Sequence, residues 1–198
     1  MKRRWELVER DVAYQGFFRL ARYRLRHELF EGGWSDVMER EIFERGHAAA
    51  VLPYDPVRDQ VALIEQFRPG ALEAPGGPWL MEFVAGIIEA GESPEDVVRR
   101  EAVEEAGCVV TELERICEYL VSPGGTTERT TLFIGRADLA DVSGVHGLDH
   151  EHEDILAHVV DADTAIGMAD DGRVNNAMGQ VGLHWFARHR ERVRRAWS

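Results

Sequence analysis

Dense apolar runs alternate with turn residues along most of this chain, and they divide it into strands and three helices. AAAVLPYD (48–55) and QVALIEQFR (60–68) flank the turn DPVRD, which predicts a strand pair. PWLMEFVAGII (78–88) continues that sheet, and VTELERICEYLVS, TTLFIGRADL and ILAHVVDAD supply further strands. TAIGMADDG reads as a short helix. NNAMGQVGLHWFARHRERVRRAW reads as a long one, capped at Asn175 or Asn176. Before His47 the pattern is mixed: RLARYRLRHELF and WSDVMEREIFERG alternate like strands but also fit helical spacing. Mixed strands followed by flanking helices predict an α+β sandwich, with neither internal repeat nor low-complexity linker.

One helix has sharper boundaries than the others. In GIIEAGESPEDVVRREAVEEAGC (86–108), Ser93 is an N-cap, Pro94 fills the first turn, and Asp96 completes an approximate capping box. The helix runs through Glu105 and stops at Gly107, which can adopt the left-handed conformation. Glu101, Glu104 and Glu105 stand at i+3 and i+4 spacing and so share a face, with Glu92 in the preceding loop. Such like charges repel unless a hard, oxygen-seeking cation such as Mg²⁺ neutralises them. The bland alternative is a solvated acidic face. Against it, Glu101 and Glu105 fall between Val97 and Val98, close to Ala102 and Ala106, at about 100° per residue. Val103 on the far side suggests a second apolar flank. Arg100, four residues before Glu104, is placed to pair with it and fix its orientation.

The segment resembles the Nudix hydrolase signature G-x5-E-x7-R-E-U-x-E-E-x-G-U, through Gly86, Glu92, Arg100, Glu101, Ala102, Glu104, Glu105, Gly107 and Cys108. That resemblance implies a Nudix-type α/β/α sandwich with a mixed sheet and Mg²⁺-dependent hydrolysis of a nucleoside diphosphate linked to another group. Two or more Mg²⁺ ions are expected, with Mn²⁺ as a substitute. A second segment, SPGGTTER (122–129), places Pro123 sixteen residues beyond Gly107 and resembles the marker of the ADP-ribose pyrophosphatases within that family. Physically it is a tight turn with hydroxyls, a carboxylate and a guanidinium able to hydrogen-bond a ribose; an ordinary hairpin turn is the rival reading.

The likeness to the bacterial ADP-ribose pyrophosphatase type extends from about Val8 to the C-terminal helix, including QFRPG, PWLMEFVAG and SGVHGLDHEHEDILAHVV. It implies a small three-stranded β domain over 1–46, used in swapped dimerisation, and a catalytic domain over 47–198. It further implies metal ligation by Glu101, Glu105, Glu153 and the Ala85 carbonyl. Glu151 is the expected base or orienter of water, with Arg100 and Glu104 in the catalytic set. Arg68 is expected on the diphosphate, Ser122, Gly125 and Glu128 on the substrate, and Phe17 and Arg40 around adenine, donated across a homodimer. Each has a plainer reading: Arg68 as a surface arginine, Phe17 as a core residue, DHEHED as a solvated turn or a histidine metal site. The products would be AMP and ribose 5-phosphate. The alternatives are a nucleotide-sugar substrate such as GDP-mannose, or a non-catalytic ADP-ribose-binding sensor.

Composition sets limits on partners. With 36 acidic against 23 basic residues the net charge is −13, which opposes binding to nucleic acid or an anionic membrane. The basic run RHRERVRRAW is an exception, read as favourable charge at a helix C-terminus or as an anion patch. Two cysteines, Cys108 and Cys117, make no disulfide framework, and the N-terminus lacks a signal-like apolar run; a cytoplasmic protein is expected.

Overall fold

The computed structural model describes residues 3–198, which form two compact units. The larger comprises Ala48–Tyr119 and Thr130–Ser198; the smaller runs to His47 and also takes in Leu120–Arg129. In the smaller unit the mixed pattern resolves to strands β1 (Trp5–Gln15), β2 (Arg19–His27) and β3 (Met38–Glu44), an antiparallel sheet in that order. Charge pairs link the strands, including Arg24 with Glu9, Arg26 with Glu6 and Arg10 with Glu44, so the arginines that alternate with apolar residues along β2 find acidic partners on β1.

The larger unit is built on an eight-stranded mixed sheet. Its strands are β4 (Ala48–Asp55), β5 (Gln60–Phe67), β6 (Trp79–Glu82), β7 (Val84–Ile87), β8 (Glu112–Leu120), β9 (Arg129–Arg136), β10 (Gly144–His146) and β11 (Ile155–Asp161). Helix α1 (Pro94–Ala106) packs on one face; α2 (Ala162–Asp170) and α3 (Ala177–Trp197) pack on the other. Alternate residues of β4 show the sandwich directly. Ala50, Leu52 and Tyr54 join the core under α2 and α3, while Ala49 and Val51 join the core under α1. Helices on both faces explain why β4 reads as a continuous apolar run.

One irregularity positions the chemistry. β4 and β5 pair only beside their turn, at Tyr54 with Val61 and Asp55 with Gln60, and then diverge. The segment 79–87 fills the gap, with β6 antiparallel to β5 and β7 antiparallel to β4, changing partner at the fully buried Phe83. PWLMEFVAGII is therefore two short strands. Asn176, the N-cap of α3, anchors the first by donating from Nδ2 to the Met81 carbonyl at 2.7 Å.

The C-terminal arginines are largely committed to the fold. Arg190 and Arg194 both bind Asp59 at the β4–β5 turn, where Tyr54 Oη also donates to Asp59 at 2.7 Å, and Arg192 pairs with Glu114. These contacts tie α3 down and leave little of the anion patch considered from sequence. Both cysteines are free, and burial pushes the Cys108 thiol up to about 11. No helix among the described residues is long and apolar enough to cross a membrane.

Candidate active site

The α1 helix begins and ends where its local chemistry dictates. Ser93 accepts from the Asp96 amide, the Asp96 carboxylate accepts from the Ser93 amide, Pro94 occupies the first turn, and Gly107 closes the helix at φ 62°. A side chain at Gly107 would also strike the His146 ring. The buried residues of α1 are Val97, Val98, Ala102, Glu105 and Ala106. Glu105 thus belongs to the packed face, at 2% exposure, and the solvated-stripe reading fails for it. Val103 does not form the second apolar flank expected from sequence; it is 51% exposed because no element covers that side.

Burial sets the electrostatics of the pair. Burial pushes the Glu101 carboxyl up to about 7, against the pull of Arg100, with the charges of Glu104 and Glu153 adding to the rise. Burial likewise raises Glu105 well above the usual carboxylate range, opposed chiefly by the Ala85 amide, which donates to its Oε2 at 2.9 Å. Across from α1, Gly86 lies so close that a Cβ there would fall onto the Glu101 carboxylate. Glycine at this position of β7 is what leaves room for that carboxylate.

Arg100 sits among the remaining acids. It donates to Glu92 at 3.2 Å, to Glu101 at 2.8 Å and to Glu104 at 2.9 Å, so the pairing with Glu104 anticipated from spacing is part of a wider hub. On the neighbouring strands Glu82 is 4% exposed and accepts from both Gln66 Nε2 (3.1 Å) and Arg68 Nε (2.8 Å). Sequence reasoning passed over Glu82. Its signal was a lone acid within the apolar run PWLMEFVAG.

The acidic loop after β10 is held against the end of α1, where the Gly147 amide donates to the Glu104 carbonyl at 3.1 Å. Glu153 turns inward and accepts from the Leu148 amide at 3.2 Å. Glu151 points the other way. Its side chain is 56% exposed and lies 3.7 Å from His150, so it is not assembled with the helix carboxylates. Among the described residues no three His, Cys, Asp or Glu side chains are gathered as a metal cage. The donor chemistry nevertheless fits a hard cation: the charge of Glu153 adds to the rise at both Glu101 and Glu105, which places the three carboxylates near one another, and all three offer oxygen.

The other predicted residues belong to the smaller unit. Phe17 is 89% exposed, which excludes the core reading, and it packs edge-on against Phe18 at 4.7 Å. Arg40 is exposed on β3, donating to the Glu39 carbonyl. The Ser122 carbonyl accepts from the amides of Gly125 and Thr126, forming the expected tight turn. Gly124 and Gly125 have open space where a side chain would stand. The turn is fastened to β3: Phe43 donates to the Gly125 carbonyl at 2.8 Å, and Arg45 lies 3.5 Å from the buried Glu128.

Residues 44–177 match the NUDIX domain. The chain belongs to the NUDIX family. Similar NUDIX proteins include the ADP-ribose pyrophosphatase of Escherichia coli K12, 48% identical over 98% of this chain and 92% of the relative. That of Haemophilus influenzae is 42% identical over 98% of this chain and 90% of its own. A GDP-mannose pyrophosphatase of Pectobacterium atrosepticum is more distant, at 33% over 92% of this chain and 97% of its own. Among solved structures, one titled as an ADP compounds hydrolase superposes with a TM-score of 0.71 at 18% identity, covering 96% of each chain. The fold shared with that structure thus covers nearly the whole chain, and the NUDIX match lies within it at 44–177.

Proposed function

We propose that this NUDIX protein hydrolyses ADP-ribose to AMP and ribose 5-phosphate with a divalent cation, Mg²⁺ foremost. The observation that carries the reading is the pair Glu101, its side chain 12% exposed, and Glu105, buried, on α1 facing Gly86 and Ala85, in a chain 48% identical to an ADP-ribose pyrophosphatase over 98% of its length. Glu101 has Arg100 at 2.8 Å and Glu105 has only the Ala85 amide at 2.9 Å, so two neighbouring acids share one cationic side chain, and a bound cation would offset the remaining charge.

In this reading Glu101, Glu105, Glu153 and the Ala85 carbonyl hold the cations. A bound cation supplies polarisation of a phosphoryl oxygen and a bound water of lowered pKa. Arg100 and Glu104 orient Glu101 from behind through the hub described above. Glu151 accepts the proton of the attacking water or orients it, which requires the exposed loop 148–152 to bring its carboxylate inward. Arg68 offers its guanidinium to the diphosphate. Ser122, Gly125 and Glu128 contact the substrate, and Phe17 with Arg40 encloses adenine bound to the other copy of a homodimer.

The dimer is itself part of the proposal, with residues 1–46 as its docking domain. Its support is the apolar surface left open on the smaller unit, where Trp5, Tyr14, Phe17 and Phe30 are exposed. Sedimentation should give twice the chain mass; a monomer at micromolar concentration would remove the adenine role of Phe17 and Arg40. A cytoplasmic location fits the two free thiols.

The function is tested by turnover with Mg²⁺ across ADP-ribose, GDP-mannose, UDP-glucose and diadenosine polyphosphates. ADP-ribose should give the highest kcat/KM. A preference for GDP-mannose would select the substrate of the more distant relatives, and absence of turnover with all four would select a non-catalytic binding module.

A further inference from the structure

Glu82 is a carboxylate side chain buried within the sheet of the larger unit. It pairs across from Ile64 on β5, and Ile64 is in the core under α1, so the carboxylate points to the α1 side of the sheet at 4% exposure. Gln66, two residues along β5 and therefore on the same face, is 6% exposed. A carboxylate in that position must be neutralised or strongly hydrogen-bonded. Both demands are met through one oxygen: Oε2 accepts from Gln66 Nε2 at 3.1 Å and from Arg68 Nε at 2.8 Å.

The consequence lies in Arg68. Its backbone amide is fixed by the Pro78 carbonyl at 2.7 Å, and its Nε is taken by Glu82. Its terminal amino groups make no hydrogen bond within the larger unit among the described residues, and its side chain is 40% exposed. Its charge is felt at Glu105, so the guanidinium borders the acidic pair. An arginine gripped at Nε retains one bidentate face, the pair of terminal nitrogens, which matches the spacing of phosphate oxygens.

We propose that Glu82, held by Gln66, is a positioning residue that grips Arg68 at Nε and aims its terminal amino groups at the diphosphate of the substrate. The proposal rests on the reading that Arg68 contacts the diphosphate. Without Glu82 the guanidinium is free to turn toward the acidic pair and to lose its fixed fork. Glu82 does not touch substrate.

The test is a double-mutant cycle with Glu82→Gln and Arg68→Ala, read by calorimetric binding of the uncleavable α,β-methylene analogue of ADP-ribose and by steady-state kinetics. Glu82→Gln should weaken analogue binding about tenfold and raise KM more than it lowers kcat, while melting within a few degrees of the wild type. In the Arg68→Ala background the same substitution should change binding less than twofold. Independent, multiplicative losses in the double variant would overturn the proposal, because Glu82 would then act without Arg68. Unchanged binding by Arg68→Ala alone would overturn the diphosphate reading and the proposal with it, a result distinct from the multiplicative one. If Glu82→Gln does not fold, Glu82→Asp replaces it, keeping the buried charge but withdrawing it from Nε, with the same expectations.

Discussion

Replacing Glu101 by glutamine should stabilise the metal-free protein at alkaline pH while destroying its response to Mg²⁺. Burial lifts this carboxyl from 4.5 to about 7, and its side chain is only 12% exposed, so solvent screens it little. A group whose folded pKa lies above its unfolded value binds an extra proton in the native state between those values. Native stability therefore falls as pH rises through roughly 4.5 to 7, and the loss persists above. At about 1.4 kcal/mol per unit, a rise of about 2.5 units corresponds to about 3 kcal/mol. For a chain of this size that is ~6–12 °C in melting temperature. Glutamine keeps the shape and the acceptor facing Arg100 but carries no charge. Calorimetric melting in EDTA at pH 5 and pH 8 should show the wild type losing stability over that interval and Glu101→Gln losing much less. With 10 mM Mg²⁺ at pH 8 the wild type should regain stability and the variant should not. If the variant melts below the wild type in EDTA at pH 8, or if Mg²⁺ stabilises both equally, the idea of a carboxylate strained by burial and relieved by a cation is wrong.

The other expectations are independent of that one. Glu105→Gln should fold normally and lower kcat by about a thousandfold or more, since a neutral acceptor in a site 2% exposed holds a cation poorly; near wild-type turnover would remove Glu105 from the metal set. Phe17→Ala should chiefly raise KM for ADP-ribose, because stacking is largely uniform binding; a fall in kcat alone would assign the exposed ring another task. Asp59→Ala should lower the melting temperature by ~6–12 °C, from a loss of about 3 kcal/mol, by removing the acceptor that Arg190, Arg194 and the Tyr54 hydroxyl share. A shift below 2 °C would mean that α3 is held by apolar packing alone.

What could be read from sequence was the chemistry that is local in the chain. Ser93, Pro94, Asp96 and Gly107 act within one helical turn of themselves, and the structure places the ends of α1 where they indicate. The strands of the larger unit were legible for a similar reason, since a sheet covered on both faces leaves runs such as AAAVLPYD. Val103 was misjudged because a helical projection gives direction and not neighbours, and nothing packs where that side chain points. Glu82 was missed because its partners, Gln66 and Arg68, lie 16 and 14 residues away and meet it only through the β5–β6 register. The fastening of the 120–129 turn to β3 was equally hidden: Phe43 and Gly125 are joined through backbone atoms, which carry no residue signature.

The divergence of β4 and β5 explains why the chemistry collects where it does. A sheet that stayed paired along both strands would leave no room between β4 and β5 for further side chains beside α1. Once they part, β6 and β7 bring Glu82 and Gly86 to the same face as Gln66. There the glycine leaves room for Glu101 and the Ala85 amide receives Glu105. The exchange of partners at Phe83 is thus the structural condition for a buried carboxylate pair beside an arginine. It also explains the distribution of risk in this fold. The acids sit on the packed face of α1 among Val97, Val98, Ala102 and Ala106, so their positions are as rigid as the core itself. Glu151, the residue assigned to the moving proton, is instead carried by a short exposed loop tied to α1 through the Gly147 amide. The helix acids are thus fixed by packing, whereas the Glu151 carboxylate stands at the surface beside His150.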